Sequence, residues 1–140
     1  GAWFAVAGDP PDALALVGVA VADLGGRSFP VADDDRATYH AAAAIASNHL
    51  VALLGQVERV STAAGVPLAA YLDLVRATVE NVADLGPAAA LTGPAARGDW
   101  ATVDRHRAAL VPEELDAYDA MVRAVRRLVD DGSDGSAGPS

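Results

Sequence analysis

Residues 39–54 read Tyr39-His40-Ala41-Ala42-Ala43-Ala44-Ile45-Ala46-Ser47-Asn48-His49-Leu50-Val51-Ala52-Leu53-Leu54. The stretch predicts a helix with almost no polar face. Such a helix must be covered on every side, either as the central post of a domain or as the seam of an oligomer. It nevertheless carries His40, Ser47 and Asn48. Polar groups in that setting need partners or a ligand, because burying each one unpaired costs about 1 to 3 kcal/mol. On a regular helix, at about 100° per residue, His40 and Ser47 share a face, with Asn48 at its edge. They lie roughly 10 Å apart along the axis, too far for a nucleophile and base pair but suited to the two ends of one small ligand. The competing reading is structural: the three groups bond to neighbouring backbone and line a close helix contact.

Working outward toward the N-terminus, Trp3 to Ala7 reads as a buried strand ended by Gly8-Asp9-Pro10-Pro11. Leu14, Val17, Val21 and Leu24 then recur at helical spacing over 12–24, and Gly25-Gly26 stops that helix. Arg27 to Val31 is a second strand, which makes a parallel strand-helix-strand crossover. Two short parallel strands do not make a stable sheet alone, so the unit is expected to be the trailing edge of a larger one. Asp33-Asp34-Asp35 is read as a capping run for the long helix, not as a metal site.

In the other direction the long helix is expected to run through Gln56, Val57 and Val60 to a stop at Gly65. Pro67 opens the next helix, with Leu68, Tyr71, Leu72, Val75, Val79 and Val82 on one stripe, and Leu85-Gly86-Pro87 closes it. A short helical turn, a Gly-Pro break and an Arg97-Gly98-Asp99 turn follow, with Asp99 placed to cap a helix over 100–110. Pro112, Glu113 and Glu114 open a last helix ending near Val129. The expected organisation is mainly α, a helical bundle around one long central helix. Residues 1–32 form the strand-helix-strand unit, 33–129 the helical domain and 130–140 a disordered tail.

A chain of 140 residues that is 52% hydrophobic should bury a real core. Its net charge of -9 argues against nucleic acid or an anionic membrane as partner, since both require a basic face. All ten basic residues are arginine, which excludes lysine as a base or Schiff-base former in these residues. There is no cysteine, hence no disulfide and no thiolate metal site. Gly1-Ala2-Trp3-Phe4 lacks the basic start of a secretory leader and no apolar run is a convincing membrane span, so a cytoplasmic location is expected.

His40 and His49, nine residues apart, fall on roughly opposite helix faces and do not form a metal pair. Arg97-Gly98-Asp99 is read as a turn and cap rather than an adhesion motif. The Arg97 guanidinium, beside Thr92-Gly93-Pro94, is suited to hold a carboxylate or phosphate. Gly25-Gly26 lacks the G-x-G-x-x-G pattern and follows a helix where that pattern follows a strand, so this chain is not the nucleotide-binding half.

Tyr39-His40 through Ser47-Asn48, then Asn81, Gly86-Pro87-Ala88-Ala89-Ala90-Leu91-Thr92-Gly93-Pro94, Arg97-Gly98-Asp99 and His106 closely resemble the C-terminal domain of Rossmann-like oxidoreductases called domain of unknown function 2520. The resemblance covers about residues 1–129. That family's fold is similar to the helical C-terminal domain of the 6-phosphogluconate dehydrogenase superfamily, which includes ketopantoate reductase and pyrroline-5-carboxylate reductase. The resemblance implies an NAD(P)-binding domain upstream, with residues 1–32 left over from that Rossmann-type domain, and a helical domain that closes the substrate cleft and dimerises.

Relatives in the superfamily commonly use a lysine and an asparagine on the long helix; with no lysine here, the proton role falls to His40 or Tyr39. The expected function is therefore the substrate-binding and dimerisation domain of an NAD(P)-dependent oxidoreductase acting on a small carbonyl or hydroxy acid, inactive without its partner domain. His40 is the proton donor or acceptor, and Tyr39, Ser47, Asn48, Asn81, Arg97 and His106 are the substrate-binding residues; no metal is assigned. The rival is a helical dimerisation module that binds no metabolite.

Overall fold

A computed structural model of the chain describes residues 1–7 and 11–134. The expected turn at Gly8-Asp9-Pro10 lies outside the described residues, as does the part of the expected 130–140 tail beyond residue 134; residues 130–134 of that tail are helical, not disordered. The protein is mainly α-helical, with one small parallel sheet. It divides into two compact units, residues 1–53 and 54–140, and the boundary falls inside the long helix.

In the first unit β1 (Trp3–Val6) pairs in parallel with β2 (Arg27–Pro30), with Trp3 opposite Arg27 and Val6 opposite Pro30. The crossover is α1 (Pro11–Asp23), which presents the buried Val21 to the strands. Gly25 stops α1 at φ 71°, a conformation costly for any residue with a Cβ, and the Gly26 N–H returns to the Val21 carbonyl at 2.9 Å. Gly26 is favoured by space alone: a Cβ there would stand 2.6 Å from the Phe4 ring. The strand expected to be buried is not. Trp3 and Phe4, which point to opposite faces of the strand, are 61% and 41% exposed, because a sheet of two short strands leaves both faces incompletely covered.

Asp33–Asp35 form a short 3-10 turn ahead of α2 (Arg36–Ala44). The expected capping fails. Asp35 already has helical torsions (φ -91°, ψ -7°), and no side chain of the run reaches a free N–H; Asp33 instead pairs with Arg36 at 3.5 Å. The helix continues as one π turn over Ile45–His49 and then as α3 (Leu50–Ala63), stopping at Gly65 with φ 73°. Its start is seated by aromatic contacts: the Tyr39 ring packs edge-on against Phe29 (5.7 Å), which packs on Trp3 (6.1 Å).

The expectation of cover is overturned for the rod's N-terminal half. Ile45 is 58% and Val51 70% exposed, and Leu50 and Leu53 are exposed as well. Among the described residues the only buried hydrophobic side chains are Val21 and Val103.

The second unit holds the C-terminal part of α3, α4 (Ala69–Leu85), two single turns α5 (Pro87–Ala90) and α6 (Pro94–Arg97), α7 (Trp100–Ala109) and α8 (Pro112–Asp134). Helix α8 turns a stripe of Leu115, Tyr118, Val122, Val125 and Val129 inward, each half-buried, at the 3-4 spacing of an amphipathic helix. The α4 stripe is covered only over its first half. Leu68, Tyr71, Leu72 and Val75 are half-buried, whereas Val79, Val82 and Leu85 are exposed.

Helix α3 is clamped to α8. Arg59 forms a forked pair with Glu114, one arm at 3.1 Å, and Gln56 donates to the Glu114 carbonyl oxygen at 3.1 Å. Glu114, only 6% exposed, lies in the first turn of α8, where the helix dipole also favours its charge. Val103, 3% exposed, anchors α7. Val103→Ala should cost about 2 kcal/mol, the lost burial of two methyl groups plus the space they leave, measurable by urea unfolding.

The Arg59 guanidinium holds the Glu114 carboxyl below the usual range. A carboxyl whose folded-state value is depressed contributes stability above its unfolded value, and that contribution is lost as pH falls through the folded value. The unfolding midpoint should therefore fall as pH drops below about 4.5, and Glu114→Gln should flatten that dependence; thermal melts across pH check both.

Candidate functional site

The seven residues singled out in the sequence divide between the two units. Tyr39, His40, Ser47 and Asn48 belong to the first; Asn81, Arg97 and His106 belong to the second.

In the first unit all four are exposed. Tyr39 is held on Phe29, and among the described residues His40, one position further along α2, has no side-chain hydrogen bond. Ser47 and Asn48 sit in the π turn. There the Ser47 hydroxyl donates to the Ala43 carbonyl oxygen at 2.8 Å, with Asn48 Oδ1 3.4 Å away. The back-bond matches the structural reading of Ser47, and such bonds locally distort helices. The π turn also breaks the uniform 100° step between His40 and Ser47. Short π segments of this kind occur frequently at functional sites.

In the second unit His106 Nδ1 lies 2.9 Å from the Tyr118 hydroxyl, and the two rings stack edge to face. Burial, with Asp119 nearby, pushes the Tyr118 hydroxyl upward. Asp119 itself pairs with Arg107 at 3.1 Å, so α7 and α8 are tied by two adjacent polar contacts. Asn81 is exposed on α4.

Arg97 ends α6, where Gly98 (φ 73°) reverses the chain and Asp99 caps α7. Asp99 accepts from Thr102 N–H at 3.1 Å and from the Thr102 hydroxyl at 2.7 Å. Those two bonds hold its carboxyl below the usual range. Arg97 also lines a cavity of about 540 Å³ with Leu91, Thr92, Ala96, Leu128 and Val129. Asn81 and His106 are not among its walls.

The α8 wall of this cavity is the part sequence reasoning missed. The helix was expected to stop near Val129 but runs to Asp134. Arg126 pairs with Asp130 at i+4 (3.3 Å), and a Cβ on Gly132 would stand 3.5 Å from the Ala88 Cβ, an ordinary contact. The i, i+4 Arg126–Asp130 spacing was the available signal. Arg126 also lies over the Trp100 ring (5.9 Å) and reaches toward the Ala95 and Ala96 carbonyls at 3.5 Å, which seats α6 on α8.

Among the described residues no three His, Asp or Glu side chains gather closely enough to hold a metal ion. Beside Gly26 the space is filled by Phe4 and Val21, whereas nothing stands within 4 Å of a Cβ on Gly25. Among the described residues no helix is long and apolar enough to cross a membrane.

Residues 2–125 match the family described as Domain of unknown function (DUF2520), and the chain belongs to that family. Two solved structures are similar. Protein TM1727 from Thermotoga maritima is 27% identical with a TM-score of 0.81, over 94% of this chain and 54% of that one. The "putative NADP oxidoreductase" BF3122 from Bacteroides fragilis is 23% identical with a TM-score of 0.72, over 85% of this chain and 47% of that one. The chain thus spans about half the length of the solved structures it matches. None of the curated proteins matches it.

Proposed function

We propose that this chain is the substrate-binding and dimer-forming half of an NADP-dependent oxidoreductase acting on a small carbonyl or hydroxy acid. A nucleotide-binding half of the same protein would supply the cofactor and hydride chemistry. The observation that carries the reading is the long helix. Its apolar side chains Ile45, Leu50, Val51 and Leu53 are uncovered, while His40, Ser47 and Asn48 on the same rod are open to solvent. A rod of that composition needs apolar cover, and a second copy of itself is the self-complementary way to obtain it.

The family membership and the likeness to the Bacteroides fragilis protein support placing the rod beside an NADP-binding half. In this reading an open backbone edge of the β1–β2 pair continues the sheet of that half, which would also cover Trp3 and Phe4. His40 gives a proton to the substrate's carbonyl oxygen on reduction and takes it back on oxidation. Tyr39, Ser47 and Asn48, on the same unit as His40, orient the substrate by hydrogen bonds, and Arg97, on the second unit, is suited to grip an acid group. Such a protein works among soluble metabolites, in the cytoplasm.

The test is consumption of reduced nicotinamide cofactor by the protein in which a nucleotide-binding domain precedes this chain, over a panel of small oxo acids and aldehydes. Turnover of at least one is expected. No turnover of any, with cofactor bound and the dimer intact, would leave the dimerisation-module reading.

A further inference from the structure

We infer that the cavity between α5, α6 and α8 is a binding site for a monocarboxylic acid with an aliphatic or aromatic body, its carboxylate on Arg97 and its body against Leu91, Leu128 and Val129. The inference deepens the proposed role of Arg97 in gripping the substrate's acid group. At about 540 Å³ the cavity is within the usual size of small-molecule sites.

Its wall carries one charged side chain, Arg97, and one hydroxyl, Thr92; the rest is apolar. That balance selects a single negative charge joined to a hydrocarbon. A phosphate, with its higher charge and no apolar body, would leave the hydrophobic wall unused and would need more than one cation.

Arg97 is available for this task. Asp99, two residues on, already accepts two hydrogen bonds from Thr102 as the cap of α7. Among the described residues Arg97 makes no side-chain hydrogen bond or ion pair, and it is exposed. Its planar fork can therefore meet a carboxylate bidentately. The apolar wall is preformed: Leu128, Val129 and Gly132 lie on the face of α8 turned to the cavity, and the α8 acids Asp130 and Asp131 are not part of it.

The experiment is an amide NMR titration of the 140-residue chain, without cofactor, using hexanoate, hexanamide and inorganic phosphate as probes. Hexanoate should shift the Thr92, Arg97 and Gly132 amides saturably, with the other two at least tenfold weaker. Arg97→Gln should weaken hexanoate at least tenfold; the side chain is exposed, so the spectrum should otherwise stay as it was. Gly132→Leu, which leaves Arg97 in place but fills the space beside Ala88, should weaken it similarly. Non-saturating shifts, equal binding of phosphate, or hexanoate binding unchanged by Arg97→Gln would overturn the inference. Loss of cofactor-dependent turnover in the longer protein would leave these binding data standing, whereas turnover without hexanoate binding would remove this cavity alone.

Discussion

Replacing Ile45 and Val51 together by glutamate is expected to leave the protein monomeric, raising the dimer dissociation constant by about ten-thousandfold. Both side chains are exposed within a single chain, at 58% and 70%, so the substitution removes little from the fold of one copy. In a two-fold dimer each change counts twice, because the same patch faces itself. Four lost burials at roughly 1.5 kcal/mol or more each sum to about 6 kcal/mol, or four powers of ten, before charge repulsion across the seam is added. Sedimentation equilibrium reads the dissociation constant, and an unchanged circular dichroism spectrum shows that helix content is kept. Loss of helix in the double variant would mean that these residues support the single chain instead.

His40→Ala should lower turnover of the longer protein by about 10²- to 10⁴-fold, the usual contribution of a positioned acid-base group, while leaving its mass in solution that of the parent. His40 is exposed on α2 and, among the described residues, makes no side-chain hydrogen bond, so little structure depends on it. Tyr39→Phe is the informative companion. It keeps the ring that packs on Phe29 and removes only the hydroxyl, so it should cost far less if His40 rather than Tyr39 moves the proton. Unchanged turnover in His40→Ala would take the histidine out of the mechanism.

Much of the fold was legible because local chemistry dictates it. Gly25 and Gly65 stop helices where a left-handed residue is needed, Asp99 caps α7, and the alternation of strand, helix and strand set the parallel pair. Other features were hidden for physical reasons. Asp33–Asp35 look like caps by composition, but a cap residue must keep extended torsions, and Asp35 is already turned into the helix.

The π turn at Ile45–His49 cannot be read from apolar periodicity in a run where nearly every residue is apolar; its local mark is the Ser47 bond to Ala43. Helix α8 outran its expected end: the Gly-Ser composition after Asp131 favours a stop, yet the helix continues to Asp134. Of the site residues, Arg97 was legible as an exposed cation in a turn. Its cavity was not, since the apolar wall is assembled from helices more than thirty positions apart in the chain.

We propose that the uncovered apolar side chains Ile45, Leu50, Val51 and Leu53 of the long helix form the seam between two copies of this protein. The mass of the unmodified chain in solution tests it most directly. Sedimentation equilibrium at micromolar concentration should give twice the 14.2 kDa of one chain, falling to a single chain only on dilution. A mass of 14.2 kDa at every concentration up to the solubility limit would contradict it.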